Sequence, residues 1–137
     1  MMEAVFSKYE AESHLDGCDK NTGHSYLPVY ESLFGDRRDK RLRFLEIGVC
    51  SGASLKAWGE YFTHPSTEVI GLDITKDYLK YTFEGERVQM LVKNATLKSD
   101  VESIEGPFDI ILDDGSHDLR DQIVALVLWA AKLKPGG

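Results

Sequence analysis

Long apolar runs are missing from this chain. Nothing approaches the ~20 consecutive apolar residues that a bilayer-spanning helix needs, and the opening MMEAVFSKYEAES is too charged for a secretory signal. Cysteine is scarce, and the two present, Cys18 and Cys50, lie far apart with no metal-type spacing. That argues against a disulfide framework and for a reducing compartment, so a cytoplasmic protein is expected. Positive charge is in deficit, with 16 Lys and Arg against 23 Asp and Glu and a formal net charge of −7. A broad nucleic-acid or anionic-membrane surface needs the opposite sign, so neither partner is expected. The basic residues between Arg37 and Arg43 read as a solvated loop. Repeats and low-complexity segments are absent too. What remains, 42% hydrophobic and 28% charged over 137 residues, is the make-up of one globular domain with room for a core.

The stretch that organises the chain is Arg43–Gly52, RFLEIGVCSG. Phe44, Leu45 and Ile47 form a short apolar strand with one acid, Glu46, inside it, and the strand breaks at Gly48 and Gly52. Ala53–Tyr61 then reads as a helix. A buried strand, a glycine turn and a helix form the opening unit of a nucleotide-binding α/β fold, because glycine lets a ligand approach the backbone amides at the helix start. Cys50 reads as a small reduced side chain that fits the turn. Before this unit, Glu3–Glu12 and His24–Phe34 have helical spacing, with Pro28 tolerated in the first turn of the second. His14–Gly23 reads as a loop and Gly35–Lys40 as a charged linker. After it, strands are predicted at Thr67–Asp73, Arg87–Val92 and Phe108–Leu112. Asp77–Phe83, Thr96–Ile104 and Asp118–Leu133 read as helices, the last stopped by Lys134-Pro-Gly-Gly. This alternation predicts a parallel sheet with helices on both faces.

Four acids in this pattern carry chemistry. Asp73 ends the second strand 21 positions after Gly52, where an acid either accepts from the ribose hydroxyls of a bound nucleoside or caps a turn. Glu46, an acid in an apolar strand, needs a partner, and a cationic ligand near the turn would supply one. S-adenosylmethionine, with its ammonium and sulfonium, suits that acid better than a pyrophosphate does. The missing third glycine of G-x-G-x-x-G also points away from a dinucleotide. The segment FDIILDDGSH, Phe108–His117, places Asp113, Asp114 and His117 after a parallel strand, at the edge where open α/β sheets bind ligands. A carboxylate beside a histidine within reach of an alcohol is a general-base arrangement, and its oxygens suit Mg²⁺. The alternative there is a turn capped by Asp114 and Ser116.

Taken in order, FLEIGVCSGASLKAW, EVIGLDI, FDIILDDGSH and LKPGG resemble the class I S-adenosylmethionine-dependent methyltransferases. Within that class they are most similar to the metal-dependent sugar O-methyltransferases that tailor macrolide antibiotics, with the related cephalosporin-hydroxylase-type proteins. GCDKNTGHSYLPVYESLF resembles that group's segment before the first strand, so the likeness covers roughly residues 16–137. It implies that Glu46, Gly48 and Gly52 line the methionine end of the cofactor and that Asp73 holds its ribose. It also implies that Asp114 is a Mg²⁺ ligand, that His117 deprotonates the acceptor hydroxyl, and that Asp113 lies near the cofactor or is structural. Lys20, His24, Tyr26 and Tyr30 either fold over cofactor or substrate or only pack as a lid.

Two departures from the group stand out. Its G-D-Q-type tripeptide after the third strand, whose acid reaches the adenine, is here Lys93-Asn94-Ala95, so Asn94 has to serve through its amide oxygen. The group's acidic pair at the end of a fifth strand has no counterpart before Gly137, which would leave Mg²⁺ weakly held. The expected fold is therefore a Rossmann-like methyltransferase sheet without its C-terminal strands, with a helical or lid segment at 1–40 and a cofactor-binding half domain at 41–137. An apolar fourth strand makes a poor sheet edge, so self-association into a homo-oligomer or a longer reading frame is expected. The function expected is O-methyl transfer to a small-molecule hydroxyl, on a sugar or on a catechol-like acceptor. A non-catalytic cofactor-binding or assembly module of the same fold is the alternative.

Overall fold

The computed structural model describes residues 1–10 and 26–137. Four strands, β1 (Arg43–Ile47), β2 (Glu68–Asp73), β3 (Val88–Val92) and β4 (Ile110–Asp113), pair in parallel in the order β3-β2-β1-β4. The resemblance to the methyltransferase sheet implies this order, 3-2-1-4 in chain numbering. Helices α1 (Met2–Glu10), α2 (Leu27–Phe34), α3 (Ala53–Tyr61), α4 (Lys98–Glu102) and α5 (Leu119–Ala130) complete the described elements, with a 3₁₀ turn at Gly35–Arg37. Among the described residues no helix is long and apolar enough to cross a membrane.

The period-two alternation of strands divides the core into two layers. Phe44 and Val69 face one side and pack with Phe6, Leu55, Trp58 and Phe62. Leu45, Ile47, Ile70 and Leu72 face the other and pack with Val101, Ala125 and Trp129. Trp58, fully buried, is the hub of the first layer, with ring centroids 4.7 Å from Phe6 and 4.9 Å from Phe44. The described residues at 1–10 and 26–40 contribute to this core, with Met2, Val5, Phe6 and Leu27 buried in it. Glu31 on α2 ties the layer together. It accepts from the Met2 amide at 2.7 Å and from the Tyr61 hydroxyl at 2.9 Å. Burial, with that carboxylate beside it, raises the Tyr61 phenol far above its ordinary value.

Three predicted helices change in the structure. The segment 77–83 is not helical. The Lys80 amide donates to the Ser51 carbonyl at 2.9 Å, and Phe83 and Leu79 lie over Gly52, so tertiary contacts take the groups a helix would use. Helix α4 begins only at Lys98, because the Asn94 carbonyl and side chain hold the chain in a turn through Leu97. Helix α5 stops at Ala130, and Leu133 instead bridges Phe108 ahead of β4. The predicted loop at His14–Gly23 lies outside the described residues.

β4 is an edge of the sheet, as predicted, and α5 beside it exposes Leu119, Ile123, Leu126 and Val127. The chain that follows α5 returns to the sheet through backbone bonds to Phe108 and through an ion pair. Lys134 Nζ donates to both oxygens of Asp109, at 2.9 and 2.8 Å, and the Arg43 amide donates to Asp109 Oδ2 at 2.8 Å. Burial works to raise the Asp109 carboxyl, but these donors and the charges of Lys134 and Arg37 hold it below the usual carboxylate range. A depressed folded value stabilises above the unfolded value of about 3.9 and is lost as the pH falls through the lower folded one. Lys134→Met should therefore cost about 1 kcal/mol at neutral pH. In denaturant melts the gap from the parent should stay full down to about pH 5 and close below about pH 4.

Candidate functional site

Because the strands are parallel, their C-terminal ends all open on one edge, and there the structure has a cavity of about 880 Å³. That lies within the ~300–1,000 Å³ typical of small-molecule sites. Its wall follows the sheet order: 93–96 after β3, Leu72–Ile74 at β2, Ile47–Ser51 after β1 and Asp113–His117 after β4, with Tyr26, Asp121 and Gln122 adjoining. Asp73, Asp113, Asp114 and Asp121 stand on it against a single Lys93. Such a wall favours a cationic ligand and disfavours a pyrophosphate.

The loop after β1 takes its shape from Gly48 and Asp73. Gly48 has φ +89°, and a Cβ there would overlap the Asp114 carbonyl, coming within 2.7 Å of Gly115 Cα. Only glycine lets the β1 loop lie against the β4 loop, and the Asp114 amide donating to the Ile47 carbonyl at 2.8 Å joins the two. Cys50 adopts φ +48°, a left-handed conformation that is uncommon outside glycine. What holds it is Asp73, whose Oδ2 accepts from both the Val49 and Cys50 amides at 2.9 Å. Asp73 therefore caps the glycine loop, and its Oδ1 takes a 3.4 Å bond from the Thr75 amide.

Glu46 and Gly52 do not stand on the cavity wall as predicted. Glu46 is fully buried, and its Oε1 accepts from Ser54 Oγ and, at 3.2 Å, from Trp58 Nε1. Ser54 and Trp58 are spaced i,i+4 and so share one face of α3. The partners that a buried acid needs thus come from the helix, and Ser54 is the residue that reaches the wall. Beside Glu46 in the register is Gly71, where a Cβ would come within 2.6 Å of Leu55 and Val49 side-chain carbons. Gly52, at φ +87°, makes room for the Phe83 ring 2.9 Å from a built Cβ, so its role is packing. Tyr30 is also off the wall, stacked with Phe34 in the aromatic core. Tyr26 does line it, and Lys20 and His24 lie outside the described residues.

Asn94 is on the wall, but its amide oxygen already accepts from the Thr96 amide at 2.9 Å and from Thr96 Oγ1 at 2.8 Å. The expected use of that oxygen on a ligand is thereby overturned: a local turn has taken it. After β4, Asp113, Asp114 and His117 share the wall as predicted. Asp113 Oδ1 accepts from the Gly115 amide at 3.1 Å, which bends the loop. Ser116 pins it on both sides of His117: its Oγ donates to Asp121 Oδ2 at 2.8 Å and accepts from the Asp118 amide at 3.1 Å, and Gln122 Nε2 donates to its carbonyl. Asp118 in turn caps α5 through the Arg120 and Asp121 amides. Among the described residues no three His, Cys, Asp or Glu side chains assemble that could hold a metal. Sequence reasoning missed Ser54, Asp121 and Gln122, and it had Ser116 only as a local cap, a part Ser116 does play through the Asp118 amide. Only the i,i+4 spacing of Ser54 and Trp58 after an acid carried any signal.

Gly48→Ala combines a positive φ with backbone overlap. It should cost at least ~2 kcal/mol in thermal denaturation and separate the two loops that bound the cavity.

Three comparisons bear on this geometry. Residues 45–137 match a family described as a methyltransferase domain. The 8-demethyl-8-alpha-L-rhamnosyl tetracenomycin-C 2'-O-methyltransferase of Streptomyces olivaceus is 34% identical over 132 residues, 88% of this chain and 33% of that protein. The mycinamicin VI 2''-O-methyltransferase of Micromonospora griseorubida is 33% identical over 126 residues, 83% of this chain and 30% of that protein. Among solved structures, the MycE methyltransferase in complex with Mg, SAH and mycinamycin VI superposes with a TM-score of 0.79 at 28% identity. The match covers 99% of this chain and 37% of that one. The chain thus spans about a third of the length of these relatives. Its sheet order, its glycine loop at the head of β1 and its match over 45–137 together make it a member of the methyltransferase-domain family.

Proposed function

We propose that this chain is the cofactor-binding part of an S-adenosylmethionine-dependent O-methyltransferase acting on a hydroxyl of a small glycoside. The observation that carries the reading is the acid-rich wall across the strand ends, with a glycine loop at one part of it and a pinned histidine at another. The relatives support the acceptor class, since their names are those of O-methyltransferases of glycosylated products.

The residues present fit the cofactor. Gly48 lets the β1 loop lie against the β4 loop so that both face the cavity, Asp73 Oδ1 would take the ribose hydroxyls, and Ser54 with the acids of the wall would meet the charged methionine end. When bound, S-adenosylmethionine supplies a methyl group on a sulfonium. The chain's own part is to position and to move a proton. His117, on a loop fixed by Ser116, Asp121 and Gln122, would accept the hydroxyl proton of the acceptor. Asp114 is the carboxylate on that wall suited to Mg²⁺, which binds through several oxygens. The described residues do not complete such a set.

Calorimetric titration with S-adenosylmethionine and S-adenosylhomocysteine tests the reading, and micromolar binding of both is expected. In methyl-transfer assays on glycosides, His117→Ala should lower the rate by about 10²–10⁴ and leave cofactor affinity within about twofold. Binding with no turnover on any hydroxyl would favour the non-catalytic module, and equal loss of both would make His117 structural. The exposed apolar face of α5 beside the β4 edge also supports self-association of this chain. Leu126→Glu should shift the light-scattering mass towards the monomer, and a parent that is already monomeric sinks the idea.

A further inference from the structure

The base end of the proposed cofactor site has a chemistry of its own. With ribose at Asp73 on β2, the ligand runs along the sheet edge in two directions. One leads past the β1 loop to Asp114 and His117, where transfer would occur. The other leads to 93–96, after β3, so the purine lies there. This placement rests on the methyltransferase reading above.

That stretch offers hydrogen-bond donors. The Thr96 backbone amide can only donate, so its 2.9 Å bond fixes which atom of the Asn94 side chain faces it: the oxygen. Thr96 Oγ1 donates to the same oxygen at 2.8 Å. The other atom of that amide, Nδ2, has no hydrogen-bond partner among the described residues. The nearest acid in sequence, Asp100, does not compensate. Its Oδ2 accepts from the Asn94 backbone amide at 2.8 Å and its Oδ1 lies 3.8 Å from Lys93 Nζ. Lys93 itself lines the cavity and adds donors.

We infer that Asn94 presents its NH₂ to the purine, so that this site reads acceptor atoms of the base and does not select for the 6-amino group of adenine. Adenine offers an acceptor at N1 and a donor at N6. A 6-oxo purine offers an acceptor at the 6-position, which matches an NH₂ and would be repelled by a carboxylate. A donor at this point leaves the adenine amino group without an acceptor, and an unmatched polar group is what generates strong discrimination.

The test compares S-adenosylhomocysteine with its 6-oxo analogue, S-inosylhomocysteine, by calorimetry on the full 137-residue chain. For the parent, the two affinities should agree within about threefold or favour the inosyl compound. Asn94→Asp keeps an oxygen for Thr96 and replaces the NH₂ by an acceptor, so it should swing the ratio at least tenfold towards the adenosyl compound. Asn94→Ala, which removes the donor, should weaken the inosyl compound more than the adenosyl one. A tenfold or larger adenosyl preference in the parent that N94D leaves unchanged overturns the inference while sparing the cofactor reading. Binding of neither compound to the parent overturns both.

Discussion

The close approach of Gly48 to the backbone of Asp114 and Gly115 is the constraint on which the site depends. It brings the loop after β1 against the loop after β4, and the Ile47 carbonyl and Asp114 amide close the seam. Any side chain at position 48 would hold the two apart. One loop carries the backbone turn that suits a nucleoside ligand, and the other carries the acids and the histidine. Without the seam they would be two unrelated strand ends. With it they form one continuous wall.

The sheet transmits that constraint. Glu46, one residue before the end of β1, is fully buried, and Ser54 and Trp58 of α3 both donate to its Oε1. It therefore locks α3 to β1 where the helix leaves the glycine loop. Gly71 on the adjacent strand lets Leu55 and Val49 sink against the sheet, and Asp73 at the end of that strand gathers the Val49 and Cys50 amides. The left-handed Cys50 is held by this arrangement, as strained residues at functional sites usually are. At the far end, Asp109 and Lys134 fasten the chain after α5 to the start of β1. The charges that face the cavity are predominantly acidic, which accords with a sulfonium cofactor and with the relatives' chemistry.

Much of this was legible in the residues alone. The strand–helix alternation set a parallel sheet with helices on both faces, because parallel neighbours need a crossover connection. Gly48 and the Asp113–His117 group were identified as wall residues because glycine after a buried strand and a polar cluster after another are local signals. The failures share a cause. Glu46 and Gly52 were assigned to a ligand when their partners were protein, Ser54 and Trp58 for one and Phe83 for the other. The helix predicted at Asp77–Phe83 was lost to the same Phe83 and to Ser51. Asn94 was assigned an acceptor role that Thr96 had already taken. In each case the residue type correctly indicated a need for a partner.

What the sequence by itself determined was the list of needs: which strands are buried, where the chain must turn left-handed, which acids require donors. Periodicity and glycine placement encode these locally, so one chain suffices to read them. Which group meets each need was decided only by the tertiary structure. A carboxylate accepts equally well from a ligand ammonium, a serine hydroxyl or a backbone amide, and hydrogen-bonding chemistry alone does not choose among them. The choice falls to whichever donor the packed helices and loops bring within about 3 Å. At Glu46 that was α3, at Asp73 the glycine loop, and at Asn94 the turn that the side chain itself builds.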